Sequence, residues 1–271
     1  MNINLEDEDS LSDRFNNKGN ASFEIAVIRY PHISNFTDFN VFEQIESVVV
    51  KYVTSVRQLE NPDIIILPGT KNTIDDLRWL KESGIDVVID SFAKKGTVIF
   101  GICGGYQMLG EKISDPHNVE AGGVELGLNL LPVETVLNSE KNQNQYSGRV
   151  VGTSDIFDSL KGLDITGYEI HMGETTPVAD NRAGNLIAFT EGCSGYCMNN
   201  IYGSYVHGLF DRKDIAMTIV EDVAKMHGKN ITCHKIMDYA EYKESQYVKL
   251  ADTLREYLDM DEIYRIIGCE R

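Results

Sequence analysis

One stretch, Thr97-Val-Ile-Phe-Gly-Ile-Cys-Gly-Gly-Tyr-Gln-Met-Leu-Gly110, constrains this chain more than any other. It opens on a short β-branched and aromatic run, Val98-Ile99-Phe100, which reads as a buried strand. It closes on Tyr106 to Ile113, which reads as a helix. Between them Gly101-Ile102-Cys103-Gly104-Gly105 follows the G-x-nucleophile-x-G pattern of a strand-to-helix elbow, with Cys at the nucleophile position. Such an elbow holds its central residue in a strained backbone conformation, so flanking side chains would collide and glycines are needed. It also lifts a sulfur to a helix start, where free N–H groups favour thiolate over thiol. A lone cysteine in a Gly-rich turn is ordinarily a packing residue. Glycines two before and two after it, with a strand ahead and a helix behind, favour a nucleophile.

The surrounding pattern is strand and helix in alternation. Strands are expected at Phe23–Arg29, Ser47–Thr54 and Asp63–Leu67. Helices are expected from Thr73 to Ser83, stopped by Gly84, and through Val87, Val88 and Phe92, stopped at Gly96. Apolar strands in this arrangement imply a parallel sheet covered on both faces, with ligands bound at the C-terminal ends of the strands. Three loops meet at that edge: the elbow, Pro68-Gly69, and Ile33–Phe39, in which Thr37-Asp38 is read as a helix cap. Beyond Pro116 the pattern loosens. Asn138–Gln145 reads as a polar loop, Gly167–Glu174 as a short strand containing His171, Asn185–Thr190 as a strand and Gly192–Gly195 as a turn. Asn200–Phe210 reads as a strand ending on His207-Gly208. A helix is expected from Arg212 to His227, and Tyr239–Ile267 is largely helical with a break near Asp259.

Composition narrows the function classes. A formal net charge of −17 over 271 residues argues against nucleic acid and anionic membranes as partners. No run reaches the roughly 18–20 apolar residues that span a bilayer. Five scattered cysteines, an odd number, suit a reducing cytoplasm better than a disulfide framework. Cys193-x-x-x-Cys197 has no second pair at finger-like spacing, so no metal is expected. Nor is there a G-x-x-x-x-G-K-[ST] phosphate loop. Residues 1–22, acidic and Asn/Ser-rich, read as a flexible lead-in. The domain is expected over 23–271, with a helical extension over about 212–271.

A cysteine nucleophile wants an imidazole to take its proton and later return one to a leaving amine. His207, at the end of a strand expected beside the elbow, is favoured over His171 on placement. An oxyanion needs donors set in advance, and the N–H of Gly104 and the backbone at Gly69 are the natural pair. Gln107, one turn past Cys103, points to the same edge and can hold a polar substrate.

Gly101-Ile-Cys-Gly-Gly-Tyr-Gln-Met-Leu-Gly110 resembles the nucleophile motif of class I (triad) glutamine amidotransferases, in the form used by the cobyric acid synthase branch. Ile33-Ser-Asn-Phe-Thr-Asp-Phe39, Leu67-Pro-Gly-Thr-Lys-Asn-Thr73, Gly167-Tyr-Glu-Ile-His-Met-Gly173 and Tyr205-Val-His-Gly-Leu-Phe-Asp211 resemble that branch in the same order, from about Ile25 to the C-terminus. The resemblance implies a flavodoxin-like, doubly wound, mostly parallel α/β sheet with helices on both faces. It implies that Cys103 attacks the side-chain amide of L-glutamine and that His207 is the general acid/base. It also implies an ATP-dependent synthetase partner that spends the ammonia on carboxylates of adenosylcobyrinic acid a,c-diamide. ATP and Mg are expected in that domain only, with no cofactor in this chain. The resemblance further makes Asp7–Phe15 similar to the linker that joins the two halves, so a fragment or a subunit of a split enzyme is expected. Many class I enzymes carry a Glu two residues after the catalytic His. Here Leu209 stands there, as in the cobyric acid branch, which leaves Glu169 and Asp211 as candidates to orient His207. Two other readings remain: a free-standing glutaminase subunit for amidation of peptidoglycan precursors, and a catalytically silent binding domain on the same fold.

Overall fold

The structure, a computed structural model, describes residues 22–151, 155–178, 184–189, 192–231 and 236–268. The lead-in through residue 21, with its Asp7–Phe15 segment, lies outside these, as do Cys233, His234 and Cys269. The first half of the chain alternates as its pattern predicts. Strands β1 (Phe23–Ile28), β2 (Ile33–Ser34), β3 (Val48–Val53), β4 (Ile64–Leu67) and β5 (Gly69–Thr70) lead to helices α1 (Thr73–Glu82) and α2 (Ile85–Lys94). Then come β6 (Val98–Ile102), the short helix α3 (Gly104–Leu109), β7 (Lys112–Asp115) and β8 (Gly123–Leu126). Two long strands follow, β9 (Val133–Val150) and β10 (Asp164–Pro177), then β11 (Gly184–Phe189), β12 (Gly192–Met198) and β13 (Ile201–Ser204). Helices α4 (Lys213–Met226), α5 (Tyr239–Tyr257) and α6 (Met260–Ile266) complete the order.

The sheet runs β3-β1-β4-β6-β13-β12-β11-β9-β7-β8, with β10 paired to β9. Its first five strands are parallel, and β4 and β6 are buried along their whole length, which is why they read as unbroken apolar runs. The result is an α/β fold whose central sheet is mostly parallel. In the core, Phe100 of β6 stacks on Tyr202 of β13 with ring centroids 5.1 Å apart and meets Phe210 edge-on at 5.3 Å. Registers are matched where it counts: Leu67 of β4 pairs with Gly101, and Gly203 and Ser204 of β13 pair with Gly101 and Ile102. The three strands therefore end together, each delivering its following loop to one edge.

Four local readings are corrected. The helix read from Tyr106 to Ile113 runs Gly104–Leu109, and Ile113 lies in β7. Asn138–Gln145 is not a loop but the middle of β9: past a bulge, Lys141–Gln145 are paired residue by residue with β10 (Asn142 with His171, Asn144 with Glu169). Those side chains are mostly exposed, so no apolar alternation marks the strand. Gly192–Gly195 belongs to β12 rather than a turn, held by pairing with β11. Thr37-Asp38 caps no α-helix; two short 3₁₀ turns, Phe36–Phe39 and Phe42–Gln44, occupy the segment. The Asp38 side chain is used elsewhere. Among the described residues no helix is long and apolar enough to cross a membrane.

Candidate active site

Cys103 sits where β6 passes into α3, with φ 51° and ψ −111°, a conformation that costs a non-glycine residue on the order of 1–3 kcal/mol. The surroundings hold it there. Its N–H donates to the Ser204 carbonyl at 2.9 Å, and its carbonyl accepts the Gln107 N–H at 3.1 Å. The flanking glycines are a packing requirement. A Cβ on Gly105 would lie 1.9 Å from the Leu67 carbonyl oxygen, and one on Gly101 would lie 2.8 Å from the Gly105 backbone. The first turn of α3 thus lies backbone to backbone on the end of β4, with the Gly105 N–H donating to the Pro68 carbonyl at 3.0 Å.

This contact brings the Gly69 loop to the site. A Cβ on Gly69 would lie 3.2 Å from His207 Cε1. The loop is fastened from behind by buried Asp76 of α1, which accepts from Thr70 Oγ1 and from the His32 backbone N–H at 3.3 Å, and pairs with His32 Nδ1 at 2.9 Å. Burial raises the Asp76 pKa, against the hydrogen bonds from Thr70 and His32. Gly104, the first residue of α3, presents an N–H with no intrahelical acceptor.

His207 follows β13 by three residues rather than ending it. It is buried (1% exposed), close enough to Cys103 for the thiol to help raise its pKa, and joined through Nδ1 to Asp38 Oδ2 at 2.7 Å. The other carboxylate oxygen of Asp38 accepts the Gly208 N–H at 3.3 Å. Burial alone would lower the imidazole pKa, but the hydrogen bonds to Asp38 and Cys103, and their charges, outweigh it and push it up to about 10. The imidazolium is therefore the favoured form at neutral pH. The Tyr168 ring stacks on His207 at 5.2 Å, fixed by backbone hydrogen bonds in both directions between the two residues, 2.8 and 3.1 Å.

Asp38 is the residue that sequence reasoning missed. The carboxylate at the His207 Nδ1 comes from the 3₁₀ turn after β2, 169 positions away, and from neither Glu169 nor Asp211. Glu169 accepts from Ser194 Oγ at 2.5 Å and lies 3.5 Å from His171 Nε2. Asp211 lies beside Gly208 and accepts the Tyr239 N–H through its carbonyl at 2.9 Å. A signal for Asp38 was present. Phe36 and Phe39, both buried, bracket it, and an aspartate carried inward between two aromatics needs a partner.

His171 occupies a different setting on β10. Its ring stacks on Tyr205 at 3.6 Å, and Nδ1 meets the Gly173 carbonyl at 3.1 Å. With Glu169, Ser194, Tyr106 and Tyr205 it lines a cleft of about 800 Å³ whose lining includes neither Cys103 nor His207. Gln107 does not stand open at the edge to receive a substrate. It is buried, its amide donating to the Met172 carbonyl (3.0 Å) and to Tyr205 Oη (3.2 Å) and accepting from Thr73 Oγ1 (3.1 Å), so it ties α3 to β10 and α1. β10 itself passes over the sulfur, with the Ile170 carbonyl 3.7 Å from Cys103 Sγ. Cys197 is buried, and burial pushes its thiol pKa up to about 11 against a small opposing effect of Lys161. Among the described residues no group of three or more His, Cys, Asp or Glu side chains is placed to hold a metal ion.

A cysteine elbow at the C-terminal edge of a parallel α/β sheet is the architecture of glutamine amidotransferases. Solved structures bear the fold out: PurLQS from Thermotoga maritima superposes with a TM-score of 0.53 at 19% identity, covering 75% of this chain and 96% of that one. A second, described as a glutamine amidotransferase, gives 0.54 at 15% identity over 74% and 98%. The CobB/CobQ-like glutamine amidotransferase domain model matches residues 24–215, and the chain belongs to that family. Its curated relatives include the cobyric acid synthases of Ruminiclostridium cellulolyticum, 45% identical over 98% of this chain and 53% of that protein, and of Lachnoclostridium phytofermentans, 44% identical over 98% and 54%. The chain spans about half the length of the curated relatives it matches.

Proposed function

We propose that this chain is the glutaminase half of a cobyric acid synthase, working through a Cys103–His207–Asp38 triad. The observation that carries the reading is buried His207, joined to Asp38 at 2.7 Å and lying near enough to the Cys103 elbow for the thiol to act on its pKa. Transfer of the thiol proton to His207 leaves a thiolate beside an imidazolium, the arrangement Asp38 stabilises. The sulfur attacks the γ-carbonyl carbon of glutamine, and the N–H groups of Gly104 and Gly69 receive the oxyanion. His207 returns its proton to the leaving nitrogen, ammonia departs, and a γ-glutamyl thioester remains on Cys103. Water, deprotonated by His207, then releases glutamate and restores the thiol. Gln107, by fixing α3 against β10, holds the floor on which the substrate lies.

Ammonia is spent by the remaining half of the protein, an ATP- and magnesium-dependent synthetase that activates carboxylates of adenosylcobyrinic acid a,c-diamide. The names of the relatives support this branch over amidation of peptidoglycan precursors. Retention of cysteine, histidine and carboxylate together argues against a silent binding domain. Glutamate release from glutamine, measured with the synthetase half supplied, tests the reading: Cys103→Ala and His207→Ala are both expected to abolish it. Activity surviving in Cys103→Ala, or surviving in His207→Ala while lost in His171→Ala, would refute the assignment.

A further inference from the structure

The C-terminal helices carry an apolar stripe that the described part of the domain covers only in part. The first two turns of α5 are anchored: Tyr239 is buried, its hydroxyl accepts from Asn40 Nδ2 at 2.7 Å and its N–H donates to Asp211. Gln246 is the last buried side chain of α5, and α6 has none. Past Gln246, Tyr247, Leu250, Ala251, Leu254 and Leu258 recur at the spacing of one helix face, a row about 17 Å long. Tyr247, Leu254 and Leu258 are 44%, 40% and 46% exposed, and Ile266 and Ile267 of α6 are 73% and 61% exposed. An amphipathic helix is stabilised by burying its apolar face, and a contiguous exposed one marks an interface.

What covers it is indicated by where the helices fall. The family's domain model ends at residue 215, before α5 begins. The cobyric acid synthases match 98% of this chain, these helices included, and run to about twice its length. The stripe is thus an addition to the glutaminase domain found in proteins that have a second half. A second copy of the chain is a poor occupant. The net charge is −17, and residues 239–268 hold seven Asp/Glu against four Lys/Arg, so self-association sets like charge against like.

We propose that the α5–α6 stripe is the seat of the remaining half of the protein, which under the reading above is its ATP-dependent half. The placement gives the contact a route to the chemistry. α5 is fastened to Asn40, two residues after Asp38, and to Asp211, four after His207, so a partner seated on the helix bears on both loops of the triad.

The test is co-expression of this chain, tagged, with the remaining half of the Ruminiclostridium cellulolyticum relative, followed by purification through the tag. A one-to-one complex is expected, and Leu254→Glu with Leu258→Glu should lower its yield at least tenfold while far-UV circular dichroism of the chain alone stays unchanged. Failure of the unsubstituted halves to co-purify overturns the proposal, as does equal recovery with the double variant. Sedimentation of the chain by itself must give a monomer; a dimer dissociated by the same two substitutions would assign the stripe to a second copy instead. Association is read without glutamine or ATP. A stripe-dependent complex that releases no glutamate would therefore sink the proposed reaction and leave the docking surface standing.

Discussion

Replacing Asp38 by Asn removes the charge behind His207 and keeps the shape. The side chain can still offer an oxygen to the Gly208 N–H, but at His207 Nδ1 it presents either a neutral acceptor or a competing donor. The rise of the imidazole from 6.5 to about 10 corresponds to about 5 kcal/mol of preference for the protonated form, at about 1.4 kcal/mol per tenfold. Asp38 and Cys103 both contribute to it. Both act against burial, so the alkaline limb of the rate profile should move to lower pH in Asp38→Asn. Losing the group that orients a catalytic imidazole lowers turnover by about 10²–10⁴-fold, and KM should change little because Asp38 lies behind His207, away from the sulfur. Initial rates of glutamate release between pH 6 and 10.5 provide the assay. A kcat/KM within threefold of the parent at pH 7.5, with an unmoved alkaline limb, would refute the triad. Stability carries the same signature with a definite sign. The folded pKa lies above the unfolded one, so the contribution is complete below about pH 6.5 and is lost as pH rises through about 10. The gap in urea midpoint between parent and Asp38→Asn should narrow over that window.

Gly105→Ala should destabilise by at least about 2–3 kcal/mol, or prevent folding, since its methyl group would lie 1.9 Å from a backbone oxygen that the sheet holds in place; chemical denaturation checks this against Gly96→Ala, where the added Cβ meets nothing within 4 Å but φ is +91°. Phe100→Ala leaves a cavity beneath Tyr202 and Phe210 and should cost about 3–5 kcal/mol in the same measurement. Brief iodoacetamide treatment at pH 8 should alkylate Cys103 well before Cys197, whose thiol is held near 11, and glutamine should slow it; peptide mass spectrometry showing Cys197 modified first would count against Cys103 as the nucleophile.

What was legible in the sequence was whatever depends on local pattern. The buried strands announce themselves as apolar runs, the elbow by glycines whose absent side chains are a steric necessity, and the helix break near Asp259 by its polar cap, with Asp259 accepting the Glu262 N–H. The β9–β10 ribbon was hidden because pairing between backbones, not burial of alternate side chains, makes it a strand, and a run such as Asn142–Gln145 carries no trace of that. Asp38 was hidden for a related reason. Its partner lies on another strand's loop, and a short-range reading offers an aspartate after Thr37 the nearer job of capping a helix. Gln107 was placed on the correct edge, but its burial under β10 depends on a strand some 65 residues later.

If Cys103, His207 and Asp38 act as proposed, their arrangement also fixes when, during synthesis, the thiol can become reactive. Cys103 leaves the ribosome long before His207, and the parallel pairing of β13 with β6 that carries His207 to the sulfur closes a loop of about a hundred residues, the kind of contact that forms late and slowly. Until then the nascent chain holds Asp38, the Gly69 loop and the elbow with no imidazole to join them. Under the proposed mechanism glutamine cleavage is thereby tied to completion of the sheet, and a truncated or stalled chain carries the cysteine without its imidazole.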